Sequence, residues 1–201
     1  MPLAEMVRLS AEHLWLVAVA VFVAVVIAAP SAVLLVRRAR LRRWTLGVVN
    51  VVQTVPSLAV FGFLLPIPFL GGVGKTTAIV ALILYALLPI LRNMVVGILG
   101  VDPGVRESAV AMGMTGGQIL WGVELPLAFP TILAGIRIAT VTTIGTATIA
   151  AAIGGGGLGT FVFRGIAMAD TKTILAGAVP AALMAIAADE ALGWIERRYS
   201  S

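Results

Sequence analysis

Residues 14–36 read LWLVAVAVFVAVVIAAPSAVLLV, 23 consecutive positions without an ionisable side chain. A helix rising about 1.5 Å per residue covers a hydrocarbon core of about 30 Å with that many residues. The stretch is too long for the ~7–15-residue apolar core of a secretory leader, arginines follow it instead of leading it, and no cleavage pattern is evident. The whole 201-residue chain has the same character, with 60% hydrophobic and 11% charged residues and a mean hydropathy of +1.09. Soluble domains carry about 25% charged residues, so a water-soluble globule is excluded. Uninterrupted apolar runs replace the ~10-residue alternating segments of a membrane barrel. The remaining class is all-α and polytopic, one transmembrane domain over residues 1–201.

Working outward, the sequence predicts five spans, at about 14–36, 46–65, 76–98, 132–153 and 173–195. The second ends near Pro66 and Pro68, and Pro56 is expected to kink it. The fifth carries Asp189 and Glu190 after only 16 uncharged residues. Trp15, Trp44 and Trp194 stand at span ends, where amphipathic rings anchor in the interface.

An odd number of spans puts the termini on opposite sides, and the basic residues choose between them. Arg37, Arg38, Arg40, Arg42 and Arg43 crowd the loop after the first span. With that loop inside, Arg92, Arg106, Arg137, Arg197 and Arg198 also fall inside and Arg8, Lys75, Arg164 and Lys172 outside, ten against four. The N-terminus is therefore expected outside and the C-terminus in the cytoplasm. This use of the arginines accounts for the net charge of +5 without nucleic acid as a partner; specific lipid binding is the other use open to the cluster.

Little covalent or metal chemistry is available. Cysteine is absent and His13 is the only histidine, which removes disulfides, thiolate zinc sites and Cys–His pairs. Placed outside or at the interface, His13 reads as a solvated side chain. Gly71 to Thr77 imitates a phosphate-binding loop, but the position needing the first glycine is Phe69 and no soluble strand precedes it, so it reads as a turn. Gly154, Gly156 and Gly159 satisfy a dinucleotide-type spacing at the end of a membrane helix instead of between strand and helix. Close packing and turn formation, or gating at the mouth of a pathway, are the readings open to them.

The segment 100–127 is too polar to span and too patterned for a loose linker. Asp102-Pro103 supplies an N-cap and a first-turn proline for a helix through about Met112, which Gly113 can end. Thr115 and Gln118 have capping-box spacing for a second short helix running towards Pro126. The expected product is a helix–turn–helix on the inner face, either a docking knob for a soluble partner or an amphipathic element resting on headgroups.

Glu107-Ser108-Ala109, Gly113 and Val123-Glu124-Leu125-Pro126 resemble the Glu-Ala-Ala, Gly, Ile-x-Leu-Pro loop of permease subunits in binding-protein-dependent ABC importers, with Ser108 replacing alanine and Val123 isoleucine. Gln53 to Ala59, Tyr85 to Asn93, Gly135-Ile136-Arg137 and Ile153 to Gly159 are similar to the osmoprotectant branch: glycine betaine, carnitine, choline and proline betaine. Lys75, Thr76 and Thr77 are less apolar than that branch leads one to expect. The resemblance implies a MetI-like permease paired with a second permease subunit, a copy of itself or a relative. It implies that Glu107, Ser108, Ala109, Gly113, Leu125 and Pro126 couple it to an ATP-binding subunit, where ATP-Mg resides, with no cofactor on this chain. An external solute-binding protein would deliver substrate.

Aromatic cages hold quaternary ammonium groups, yet Tyr85 is the only Trp or Tyr well inside a predicted span. High-affinity recognition is therefore expected on the separate binding protein. Gln53, Thr54, Ser57 and Tyr85 are the candidates to line a low-affinity pathway, with interhelical bonding as their alternative use. An ion-coupled secondary transporter would show duplicated halves and buried ionisable residues away from the inner side; a different small solute, methionine or a phosphonate, is the nearer alternative.

Overall fold

The structure is a computed structural model and describes residues 3–67 and 72–199; Pro68, Phe69 and Gly71 of the readings above lie outside those residues. Helix α1 (Leu3–Arg37) is 35 residues long, about 52 Å at 1.5 Å per residue, so its first turns extend beyond the span read from sequence. One face carries Ala20, Ala24, Ala28 and Ala32, each no more than 1% exposed. Four-residue spacing aligns them in a row, and their small size lets neighbouring backbones approach.

The expected arginine loop is nearly absent. α1 runs through Arg37, and α2 (Ala39–Thr54) begins after a break at Arg38. The second span is not a kinked rod either. α2 and α3 (Ser57–Leu64) meet at 102°, because Val55, preceding proline, is extended, and Pro56 has no N–H to continue the ladder. Either the pair crosses as one broken span or it returns to its side of entry.

Helix α4 (Lys75–Leu99) matches the third span. After it, α5 (Pro103–Ala111), α6 (Gly116–Ile119), a π turn (Leu120–Glu124), α7 (Leu125–Ile149) and a 3-10 turn (Ala150–Ile153) follow. The second short helix expected to stop near Pro126 does not stop: residues Gly116–Ile153 form one apolar helical stretch 38 residues long. Pro126 is tolerated near its start, where the Leu125 N–H bonds to the Leu120 carbonyl across the wider π turn. α8 (Gly159–Ala167), unforeseen in the sequence, precedes α9 (Thr171–Tyr199), the fifth span.

α1, α4 and α7 pack together along two apolar clusters. Towards the arginine-rich end these hold Ala28, Leu35, Ile90, Val95, Ile98 and Ala128; towards the glycine-rich end they hold Leu16, Phe61, Leu82, Ile144 and Ala147. α9 lies against α7 and contributes little buried surface of its own. Its acidic pair is explained by α7: Asp189 takes a two-pronged bond from Arg137 at 2.6 and 2.7 Å, and Glu196 a third at 3.2 Å. The Gly193 position leaves room for that guanidinium, since a Cβ there would lie 3.0 Å from it.

Candidate functional site

The loop between α4 and α7 is built from local signals. Asp102 Oδ1 accepts the Gly104 N–H at 2.6 Å and opens α5 ahead of Pro103. At the other end Gly113 takes φ +79°, the Gly113 N–H bonds to Val110 O at 2.9 Å and the Met114 N–H to Ala109 O at 3.2 Å. That pairing is a Schellman closure, and it requires a left-handed residue at Gly113. Thr115 and Gln118 then form the full capping box that starts α6.

Glu107 and Ser108 are exposed on α5, the Ser108 hydroxyl donating back to the Gly104 carbonyl at 2.8 Å. Ala109 is 1% exposed and faces inward. Gly113 stands at the exposed tip, with no atom within 4 Å of a built Cβ. Leu125 is half-buried beside Trp121, Pro30, Met94 and Ile132 around an apolar cavity of about 300 Å³. Pro126 is exposed. The six residues therefore belong to one protrusion without converging on a point: Glu107, Ser108, Gly113 and Pro126 outward, Ala109 and Leu125 holding it on the bundle.

Two further residues fix that protrusion. Arg106 bonds the Ile98 carbonyl near the end of α4 at 3.2 Å and pairs with Glu124 at 2.7 Å. The loop is thus bolted at both ends to membrane helices. Arg106 and Glu124 are 18 positions apart, a spacing with no periodic signature.

Gln53, Thr54, Ser57 and Tyr85 gather at the break between α2 and α3. The Tyr85 hydroxyl donates to the Val55 carbonyl at 2.7 Å, filling an acceptor that the bend leaves without a helical partner. Thr54 bonds its own helix at Val51 O, 2.7 Å away, and Gln53 and Thr54 are exposed.

The two misleading glycine runs meet at the other end of the bundle. Gly74 N–H donates to Ile153 O at 2.8 Å and Lys75 pairs with Glu12. The groups that would cradle a phosphate are therefore spent on packing. Gly157 N–H donates to Glu12 Oε2 at 3.2 Å. His13, far from solvated, is fully buried, with Nε2 3.1 Å from Ile144 O.

Comparison with known proteins agrees with this geometry. Residues 14–201 match the family model described as binding-protein-dependent transport system inner membrane component. The glycine betaine/carnitine/choline transport system permease protein OpuCB of Bacillus subtilis is 45% identical over 194 residues, 96% of this chain and 88% of that protein. The carnitine transport permease protein OpuCB of Listeria monocytogenes is 46% identical over 187 residues, 93% and 84% of the two chains. Among solved structures, an inward-facing MetNI methionine ABC transporter superposes with a TM-score of 0.88 at 26% identity, covering 97% of this chain and 96% of that one. The chain belongs to the family of inner membrane components of binding-protein-dependent transport systems, and it is a multi-pass permease subunit of an ABC importer.

Proposed function

We propose that this permease carries osmoprotectants of the quaternary ammonium type, glycine betaine, carnitine, choline or proline betaine, into the cell. The observation that carries the reading is the similarity, 45 and 46% over nearly the whole chain, to permeases named for such solutes. A methionine importer shares the fold at 26% identity; the higher identity favours the quaternary ammonium class.

In this reading the arginine-rich end faces the cytoplasm and the N-terminus lies outside. Residues 100–127 engage a groove on a separate ATP-hydrolysing subunit, which holds ATP-Mg; this chain binds neither nucleotide nor cofactor. Glu107 and Ser108 contact that subunit, Gly113 shapes the tip, and Ala109, Leu125 and Pro126 pass its movement to α7. A second permease subunit, identical or related, completes the pathway, and a solute-binding protein outside delivers substrate. Gln53, Thr54, Ser57 and Tyr85 line the path at the break between α2 and α3, where the interrupted helical ladder leaves polar groups.

The test is uptake of labelled glycine betaine by the complete transporter in proteoliposomes, with unlabelled solutes as competitors. Choline, carnitine or proline betaine should compete and methionine should not. Competition by methionine alone overturns the substrate class.

A further inference from the structure

Glu12 and His13 are polar neighbours on a helix whose packed face is otherwise mainly apolar, and both press on the glycine run that follows Ile153. Gly154, Gly156 and Gly157 take φ of +76°, +82° and +71°, which wraps the backbone tightly around these two side chains. A Cβ on Gly156 would lie 2.7 Å from a Glu12 carboxylate oxygen, and one on Gly157 3.0 Å from His13 Nδ1. Glu12 accepts the Gly157 N–H at 3.2 Å while pairing with Lys75 at the start of α4. Because a carbonyl only accepts, the His13 bond to Ile144 O at 3.1 Å places the proton on Nε2. Nδ1, turned towards Gly157, then has a lone pair and no donor. About two turns further out, Arg164 of α8 pairs with Glu5 at 3.1 Å.

A permanent seam between helices needs no ions. The alanine row on the same α1 joins its neighbours by packing alone, and burying charge costs more than apolar contact of the same volume. Polar groups are the better material where a seam must part, since water and ions satisfy them once separated. The position favours the same conclusion. The glycine run terminates the continuous stretch Gly116–Ile153, whose first residues form part of the coupling loop, so a tilt imposed at one end of that rod moves Gly157 against Glu12 at the other.

We propose that Glu12 and His13 are positioning residues of a latch that holds the glycine-rich end of the pathway shut, and that each transport cycle releases Gly157 from Glu12. The proposal rests on the importer reading above. Leu16 is fully buried one turn below His13, and the chain has no cysteine, so Leu16→Cys provides a single thiol behind the latch. The complete transporter, with its ATPase and binding protein, is reconstituted in proteoliposomes and treated from outside with a membrane-impermeant maleimide. Labelling is expected to be slow at rest and about tenfold faster during ATP turnover, and equally fast without ATP in Lys75→Gln or Glu12→Gln backgrounds, as loss of one charge-assisted contact requires. Lys75→Arg, which keeps the ion pair, should stay slow. Equal rates at rest, in turnover and in the variants would overturn the latch, and so would fast labelling in Lys75→Arg. Labelling that responds to Lys75→Gln only with reagent on the ATPase side would uphold the latch and refute the assigned orientation.

Discussion

Gly113 and Gly159 are the same residue kept for opposite reasons. Gly113 has open space around it and a left-handed backbone, so Gly113→Ala meets no atom and still costs about 1 kcal/mol through its φ. At Gly159 the backbone is ordinary and the space is missing, because a Cβ would fall on the Thr148 carbonyl. Gly159→Ala should therefore destabilise more, about 1–3 kcal/mol, as overpacking does. Thermal unfolding of the purified subunit in one detergent orders the two variants. Ala169 is the converse case, an alanine at φ +50° closing α8 with the Asp170 N–H bonded to Gly165 O at 2.9 Å. Ala169→Gly should raise stability by about 1 kcal/mol, and a lower melting temperature for that variant would contradict this account of the turn. Gly113→Asp adds a charge at the exposed tip. It should leave the protein inserted and the ATPase active while uptake falls, which separate measurement of hydrolysis and transport decides.

The break between α2 and α3 shows what an element needs beyond its own sequence. Pro56 is visible in the sequence, but a proline kinks or ends a helix according to what satisfies the carbonyls around the break, and here Val52 O takes the Val55 N–H while Val55 O takes the hydroxyl of Tyr85, 30 positions away. Tyr85→Phe leaves the Val55 acceptor without its donor and should cost about 1 kcal/mol. It should also loosen the bend, read as faster hydrogen exchange at residues 53–58 than in the wild type. The boundaries of α5 and the capped start of α6 were legible for the opposite reason, since Asp102, Gly113, Thr115 and Gln118 act within a few residues of themselves, though the end expected for α6 was not. α8 was not either, because nine residues after a glycine run are shorter than the window of about 11–18 over which helical periodicity can be read. Asp170 at the start of α9 is another local cap, accepting the Lys172 N–H at 3.0 Å and the Thr173 hydroxyl at 2.5 Å. The Thr173 hydroxyl, then the Lys172 N–H, hold its carboxyl below the usual carboxylate range. The native pKa is the lower one, so the cap contributes fully above the unfolded value and is lost as pH falls through the native one. Protection of the first turn of α9 should fade over that acidic window in the wild type and be flat in Asp170→Asn.

At the scale of the molecule, the apolar class, four of the expected spans and the polar protrusion between α4 and α7 were readable because membrane thickness and capping chemistry act directly on sequence, whereas the 102° bend that makes the remaining span a broken pair was not. The ties that make the bundle a machine were not, because Glu12 with Lys75, Arg106 with Glu124 and Arg137 with Asp189 join residues 63, 18 and 52 positions apart. Their arrangement has one mechanical consequence. The stretch Gly116–Ile153 is 38 residues long, about 57 Å at 1.5 Å per residue, which exceeds a hydrocarbon core of about 30 Å. A single helical body therefore reaches from the protrusion at one end to the glycine run at the other, and stiffness along it would carry movement between them. Ile138 and Thr142 lie on its exposed face, one turn apart, so glycine at both softens the rod without opening a cavity, at a cost of about 2 kcal/mol relative to alanine at both. The alanine pair at the same positions removes the same side chains and keeps the helix stiff. If the rod transmits the stroke, the double-glycine protein inserts, binds its ATPase and hydrolyses ATP while uptake fails, and the double-alanine protein transports. Equal uptake by the two would mean that movement reaches the glycine-rich end by another route, through α4 or α1.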